Sequence, residues 1–228
     1  MIQLQDRDRK LISLSFDHQF LPGRDAQRFV FKGTIPRRAR ERIAELVEAG
    51  YIRREPVFTL GNSSIIRLTK KGMELAQTQR PYEIPYRRRL DPVTLVHDGF
   101  TISTRLRLEE LWDATWVPEG ALKAEQFPQI PDGVLVFPNG SQVAVEIENS
   151  VKGISRFHQI QERWRKIPIK LVLYVATHAA LFKILQRYLS EGPRDLPFGL
   201  VLWSELDQSV PKIWTAMGEL DLFSRRTF

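Results

Sequence analysis

The segment Val143-Ala144-Val145-Glu146-Ile147-Glu148 constrains this chain more than any other, because two acids alternate with apolar residues in a run that reads as a buried β-strand. Pro131-Asp132 precedes it by one apolar segment and a turn. Burying carboxylates costs several kcal/mol unless a partner neutralises them. The usual partner for such a cluster is hard Mg²⁺ or Mn²⁺, which accepts carboxylate oxygens and leaves positions open for water and a phosphate. The pattern by itself suggests phosphodiester chemistry.

Charge is distributed unevenly. Residues 1–90 carry 19 Lys plus Arg against 10 Asp plus Glu, a net of +9, whereas the remaining 138 residues carry 15 against 17, a net of −2. A first region with that excess has the electrostatic footprint of a nucleic-acid binder, in which cations displace counterions condensed on phosphates. A solubilising surface is the plainer alternative.

At 228 residues with 43% hydrophobic content, the chain has the material for one large domain or two modest ones. The lack of cysteine excludes a disulfide framework, a thiolate zinc site and a cysteine nucleophile. Met1 to Lys10 alternates charges without an apolar stretch, so no signal peptide is visible; no run approaches a membrane span, and cytoplasmic residence is expected. Neither a Gly-x-x-x-x-Gly-Lys loop nor a Gly-x-Ser-x-Gly elbow occurs, which disfavours ATP-driven and serine-hydrolase chemistry. His18, His97, His158 and His178 lack paired zinc spacing. His158, with Arg156, Gln159 and Gln161 on the helix expected after the acid strand, is the one placed to touch a phosphate. The five tryptophans are scattered and read as packing residues.

Between Asp6 and Phe31, apolar spacing predicts two short helices broken near Pro22-Gly23. A third follows, with Thr34 as its cap, Pro36 in its first turn, and Ile43, Leu46, Val47 and Gly50 as a buried stripe. Off that stripe lie Arg37, Arg38, Arg40 and Arg42. Tyr51 to Arg54, Val57 to Leu60 and Ser64 to Thr69 read as a β-ribbon turned at Gly61-Asn62, and another helix starts at Leu68-Thr69-Lys70-Lys71-Gly72. Three helices, a two-stranded wing and a further helix make the winged helix-turn-helix order, whose third helix enters the major groove of double-stranded DNA. In that reading the Arg cluster meets bases and phosphates, and Arg53, Arg54, Arg67, Lys70 and Lys71 contact the backbone. A protein adaptor is the alternative use of such a domain.

Residues 80–92 carry three prolines and the run Arg87-Arg88-Arg89, and read as a linker between a domain at 1–79 and a second at 93–228. The second opens with a helix ending near Trp112. Strands follow at 115–117, 133–137 and 142–148, the last two joined at Pro138-Asn139-Gly140; then a polar helix from Lys152 to Lys166, a strand at 170–176, a helix at 179–189 and a strand at 198–203. The unbroken apolar run Leu171 to Ala176 implies a sheet covered on both faces. The expected class is α/β, α+β overall, with a mixed sheet flanked by helices.

This order, with Asp132 at the start of one strand and Glu146-Ile147-Glu148 on the next, resembles the PD-(D/E)xK nuclease-like fold. The resemblance implies that Asp132 and Glu146 are metal ligands for Mg²⁺ or Mn²⁺, and that the third position orients or activates the attacking water. That position is normally lysine and is Glu148 in this chain, as in some restriction enzymes of the fold that carry Glu-x-Glu. Lys152, at the head of the next helix, is a candidate displaced lysine, and Glu109 or Glu110 a candidate further ligand. The whole layout resembles the replication-relaxation group, which includes MobC-like mobilisation proteins. The matching features are Leu68-Thr69-x-x-Gly72, His97-Asp98, Pro131-Asp132, Val145-Glu146-Ile147-Glu148, the helix from Arg156 to Trp164, and Tyr174-Val175. It implies a DNA-binding protein of a plasmid or other mobile element, with a homodimer or a relaxase, replication or transposition protein as partner. Two uses of the second domain stay open: a metal-dependent endodeoxyribonuclease, or a non-catalytic regulator or accessory protein that docks or dimerises through it.

Overall fold

A computed structural model describes residues 2–57, 63–85, 89–124, 129–192, 198–208 and 211–221 of the chain. It divides into two units, Met1–Ser103 and Thr104–Phe228. Among the described residues no helix is long and apolar enough to cross a membrane.

In the first unit, α1 (Asp6–Asp17) opens with a reciprocal cap between Gln5 and Asp8 and buries Leu11, Ile12, Leu14 and Phe16. Strand β1 (Leu21–Pro22) leads into α2 (Gly23–Asp25), which runs on as a π-helical turn, Ala26–Val30. Helix α3 (Pro36–Glu48) has Pro36 in its first turn, as expected, but its cap is Ile35 in extended conformation. Thr34 is drawn away, its hydroxyl accepting from Arg7 Nη1 at 3.4 Å. The buried stripe of α3 is Ala39, Ile43 and Leu46; Val47, expected within it, is 38% exposed because it lies on the edge of that face.

Strands β2 (Ile52–Val57) and β3 (Ser63–Leu68) pair antiparallel from Ile52 opposite Leu68 to Val57 opposite Ser63, and β1 joins the free edge of β3. The expected segments Tyr51–Arg54 and Val57–Leu60 are bridged by one strand over Ile52–Val57; residues 58–60 and the Gly61-Asn62 turn lie outside the described residues. Helix α4 (Lys70–Gln77) is fastened at its start. Thr69 Oγ1 accepts from the Gly72 amide at 3.2 Å and donates to the Gly50 carbonyl at 2.5 Å. Gly72 is needed because a Cβ there would sit 2.1 Å from the Tyr51 carbonyl oxygen. The start of the Pro-rich stretch is tied to α1, since Arg80 Nη2 and Tyr82 Oη donate to Asp17 at 2.7 and 2.9 Å.

Helix α5 (Leu95–Leu111) contains the division between the units. The second unit is a seven-stranded mixed sheet. Strands β4 (Thr115–Pro118), β5 (Gly133–Val136) and β6 (Gln142–Glu148) run antiparallel; β6, β7 (Leu171–Ala176) and β8 (Phe198–Leu202) are parallel; β9 (Lys212–Thr215) and β10 (Gly218–Asp221) finish the sheet antiparallel. The β5–β6 hairpin turns at Pro138-Asn139-Gly140, where Gly140 has φ +81°. Helices α7 (Ile154–Trp164) and α8 (Ala179–Glu191) form the two parallel crossovers and pack Phe157, Trp164, Leu181 and Leu185 on Ala144, Val172, Tyr174 and Ala176. Val143, Val145, Leu173 and Val175 on the opposite face are buried as well, so β6 and β7 are covered on both sides. Short α6 (Glu119–Ala124), a 3₁₀ turn at Trp203–Asp207, β9 and β10 are additions to the elements legible in the sequence.

Candidate functional site

Period-two alternation puts Ala144, Glu146 and Glu148 on the face of β6 that α7 and α8 cover, next to Val172, Tyr174 and Ala176 of β7 in parallel register. The antiparallel pairing of Gly133 with Val145 brings Asp132, one residue earlier, beside Glu146. Asp132 is held by the backbone: its Oδ2 accepts from the Ile147 amide at 2.7 Å. Glu148, almost fully buried, accepts from Lys152 Nζ at 2.5 Å, and its register neighbour is the small Ala176. Asp132, Glu146, Glu148 and Lys152 therefore lie toward the same end of the central strands, with Lys152 closed on Glu148.

Three carboxylates face one ammonium in this space, and Glu146 carries the conflict. Burial pushes its carboxyl well above the usual glutamate range, the charge of Asp132 pushes it further and Glu148 adds to this; Lys152 pulls it back in part. The indole N–H of Trp164 approaches the same carboxyl without closing a hydrogen bond of normal geometry. Tyr174 stands opposite Glu146 in register, and burial, then Glu146 and Glu148, push its phenol well above its usual value, so it stays a neutral donor.

These residues suit a small hard cation. Mg²⁺ is commonly held by one or two carboxylates, with waters and substrate phosphate completing its shell, and a positive charge between Asp132 and Glu146 would relieve the repulsion on Glu146. Among the described residues no group of three His, Asp or Glu side chains comes together as a ligand set. Glu109 is engaged by Arg105 at 3.1 Å. His158 Nε2 lies 3.2 Å from the Tyr188 carbonyl oxygen, between α7 and α8.

The basic candidates of the first unit separate into two groups. Arg37 is exposed and pairs with Glu41 one turn on, at 2.7 Å; Arg38 and Arg40 are exposed on the same helix. Lys70 is exposed and 3.9 Å from Glu74, and Arg54 donates to Ser64 Oγ at 3.1 Å. Arg53, half-buried, lies 2.7 Å from Glu55. The others hold the unit together. Arg42 donates to Asp8, whose side chain is fully buried, and to the Gln3 carbonyl, and the hydrogen bond to Asp8 pushes its guanidinium further above the usual arginine value. Arg67 is buried against Glu55 and the Gln19 carbonyl. Lys71 caps the end of α3 through the Ala49 carbonyl at 2.7 Å and lies over the Tyr51 ring. Arg89 is exposed, whereas Arg87 and Arg88 lie outside the described residues.

Trp164 and Tyr174 are the site residues that sequence reasoning missed. Both read as core aromatics; period two on β7 aligned with β6 was the signal that could have placed Tyr174 beside Glu146. No family model, curated protein or solved structure matches the chain.

Proposed function

We propose that the chain is a DNA-binding protein whose first unit is a winged helix-turn-helix and whose second is a PD-(D/E)xK-like domain that hydrolyses DNA phosphodiesters with Mg²⁺ or Mn²⁺. The observation that carries this reading is the half-buried Glu146 carboxyl, whose ionisation Asp132 and Glu148 oppose near the end of β6. An acid kept in so unfavourable a place, among other acids, is a functional-site signal. The exposed Arg37, Arg38 and Arg40 on α3 support duplex binding.

When bound, the cation would supply Lewis acidity toward a phosphoryl oxygen and lower the pKa of water. Asp132 and Glu146 would hold it, Asp132 with its Oδ2 already fixed by the Ile147 amide. Glu148, freed from Lys152, orients a water in line with the scissile P–O bond and takes its proton. The water oxygen forms the new bond to phosphorus, the bond to the leaving sugar oxygen breaks and that oxygen takes a proton from solvent, and Lys152 offsets the charge gathering on the phosphate.

Incubating the protein with supercoiled plasmid and Mg²⁺ or Mn²⁺ tests the reading. Nicked or linear DNA is expected, abolished by EDTA and by Asp132→Asn, with the gel shift of duplex DNA retained in that variant. Intact plasmid over a wide range of DNA sequences would leave only binding. One observation favours that second reading, a non-catalytic regulator or mobilisation accessory: the 2.5 Å Lys152–Glu148 pair neutralises internally the position that is normally lysine. It expects salt-sensitive duplex binding and an unchanged phenotype for Asp132→Asn.

A further inference from the structure

Buried polar groups in folded proteins almost always have a hydrogen-bond partner, and each exception calls for an explanation such as a catalytic role or a bound ion. Two exceptions stand together on the covered face of β6 and β7. The Tyr174 hydroxyl, in a residue 1% exposed, and the Trp164 indole N–H, in a residue fully buried, make no hydrogen bond. Both belong to the covered face that carries Glu146. Tyr174 is the register neighbour of Glu146 and senses its charge, and Trp164 approaches the Glu146 carboxyl from α7. Their rings are fixed by packing, with Tyr174 5.1 Å from Phe157 and 6.1 Å from Phe198 between centroids.

We propose that Tyr174 and Trp164 are positioning residues of the acid site: their O–H and N–H donate to the Glu146 carboxylate when a divalent cation is present, turning its other oxygen toward Asp132 and the ion. The inference rests on the reading of Asp132 and Glu146 as a cation site. Ligating carboxylates are themselves hydrogen-bonded by outer residues, which orient them and whose loss commonly costs 10–100-fold in metal affinity or activity. A neutral phenol and an indole suit this place better than Lys or Arg would, because they orient the anion without competing with the cation for it. Neither touches substrate in this scheme.

The test is Mn²⁺ affinity of the full chain without DNA, measured by the electron paramagnetic resonance of free Mn²⁺. Tyr174→Phe removes one hydroxyl and keeps the ring, and Trp164→Phe removes the N–H; each should weaken Mn²⁺ binding about 10–100-fold and alter the spectrum of the bound ion, while the thermal midpoint in EDTA holds or rises for Tyr174→Phe and falls for Trp164→Phe, whose smaller ring leaves a cavity. Asp132→Asn in parallel identifies the site. If wild type binds Mn²⁺ through Asp132 and Tyr174→Phe binds it equally well with the same spectrum, the positioning role is overturned and the cation site stands. If wild type shows no Asp132-dependent binding, the cation site falls and this inference with it.

Discussion

Replacing Glu146 by glutamine should make the metal-free protein more stable at neutral pH, against the usual sense of a core substitution. Burial and Asp132 raise the Glu146 carboxyl well above the ordinary glutamate value of about 4.3. Between that value and the raised one, the native state holds a proton that the unfolded chain has lost. Stability then falls as pH rises, by about 1.4 kcal/mol per pH unit, and the loss is complete only above the folded value. Below pH ~4 both states are protonated and the group contributes nothing. At about 1.4 kcal/mol per pH unit and a urea dependence of ~1–3 kcal/mol per molar, the midpoint moves by roughly 0.5–1.4 M per pH unit within that window. Urea unfolding in EDTA at pH 5, 6, 7 and 8 measures it. The wild-type midpoint should fall relative to Glu146→Gln as pH rises, and added Mg²⁺ should close the gap for wild type alone. Parallel pH profiles for the two proteins would refute the assignment of the conflict to Glu146.

The two groups of arginines predict different losses. Arg38→Glu with Arg40→Glu should lower duplex DNA affinity at least about tenfold at low salt and flatten its salt dependence, with an unchanged melting temperature, since both side chains are exposed. Arg42→Ala should instead destabilise the first unit by about 3–5 kcal/mol in urea melts, because it strands the buried Asp8 carboxylate. Gly72→Ala should also destabilise it, by roughly 1–3 kcal/mol in thermal melts, since the new Cβ would have to displace the Tyr51 carbonyl.

Much of the second unit was legible because its strands carry strong patterns. The alternation from Val143 to Glu148 and the unbroken run from Leu171 to Ala176 mark a half-polar and a fully covered strand, and Pro138-Asn139-Gly140 marks the hairpin. Strands β9 and β10 escaped because Lys212 in one and Glu219 and Asp221 in the other interrupt the apolar pattern that marks a strand. In the first unit the helices were readable, yet charge alone did not separate exposed Arg38 from Arg42, whose partner Asp8 lies 34 residues away. Long-range pairing of that kind leaves no local trace. The same holds for the site: acid spacing pointed to Asp132 and Glu146, whereas the roles available to Tyr174 and Trp164 depend on strand register and on the face that α7 covers.

The most direct measurement is anomalous diffraction from a crystal of the protein soaked in Mn²⁺. An anomalous peak about 2.0–2.2 Å from carboxylate oxygens of both Asp132 and Glu146, with Lys152 drawn away from Glu148, is the predicted result. A map with no peak between those two acids, and Lys152 still closed on Glu148, would contradict the account.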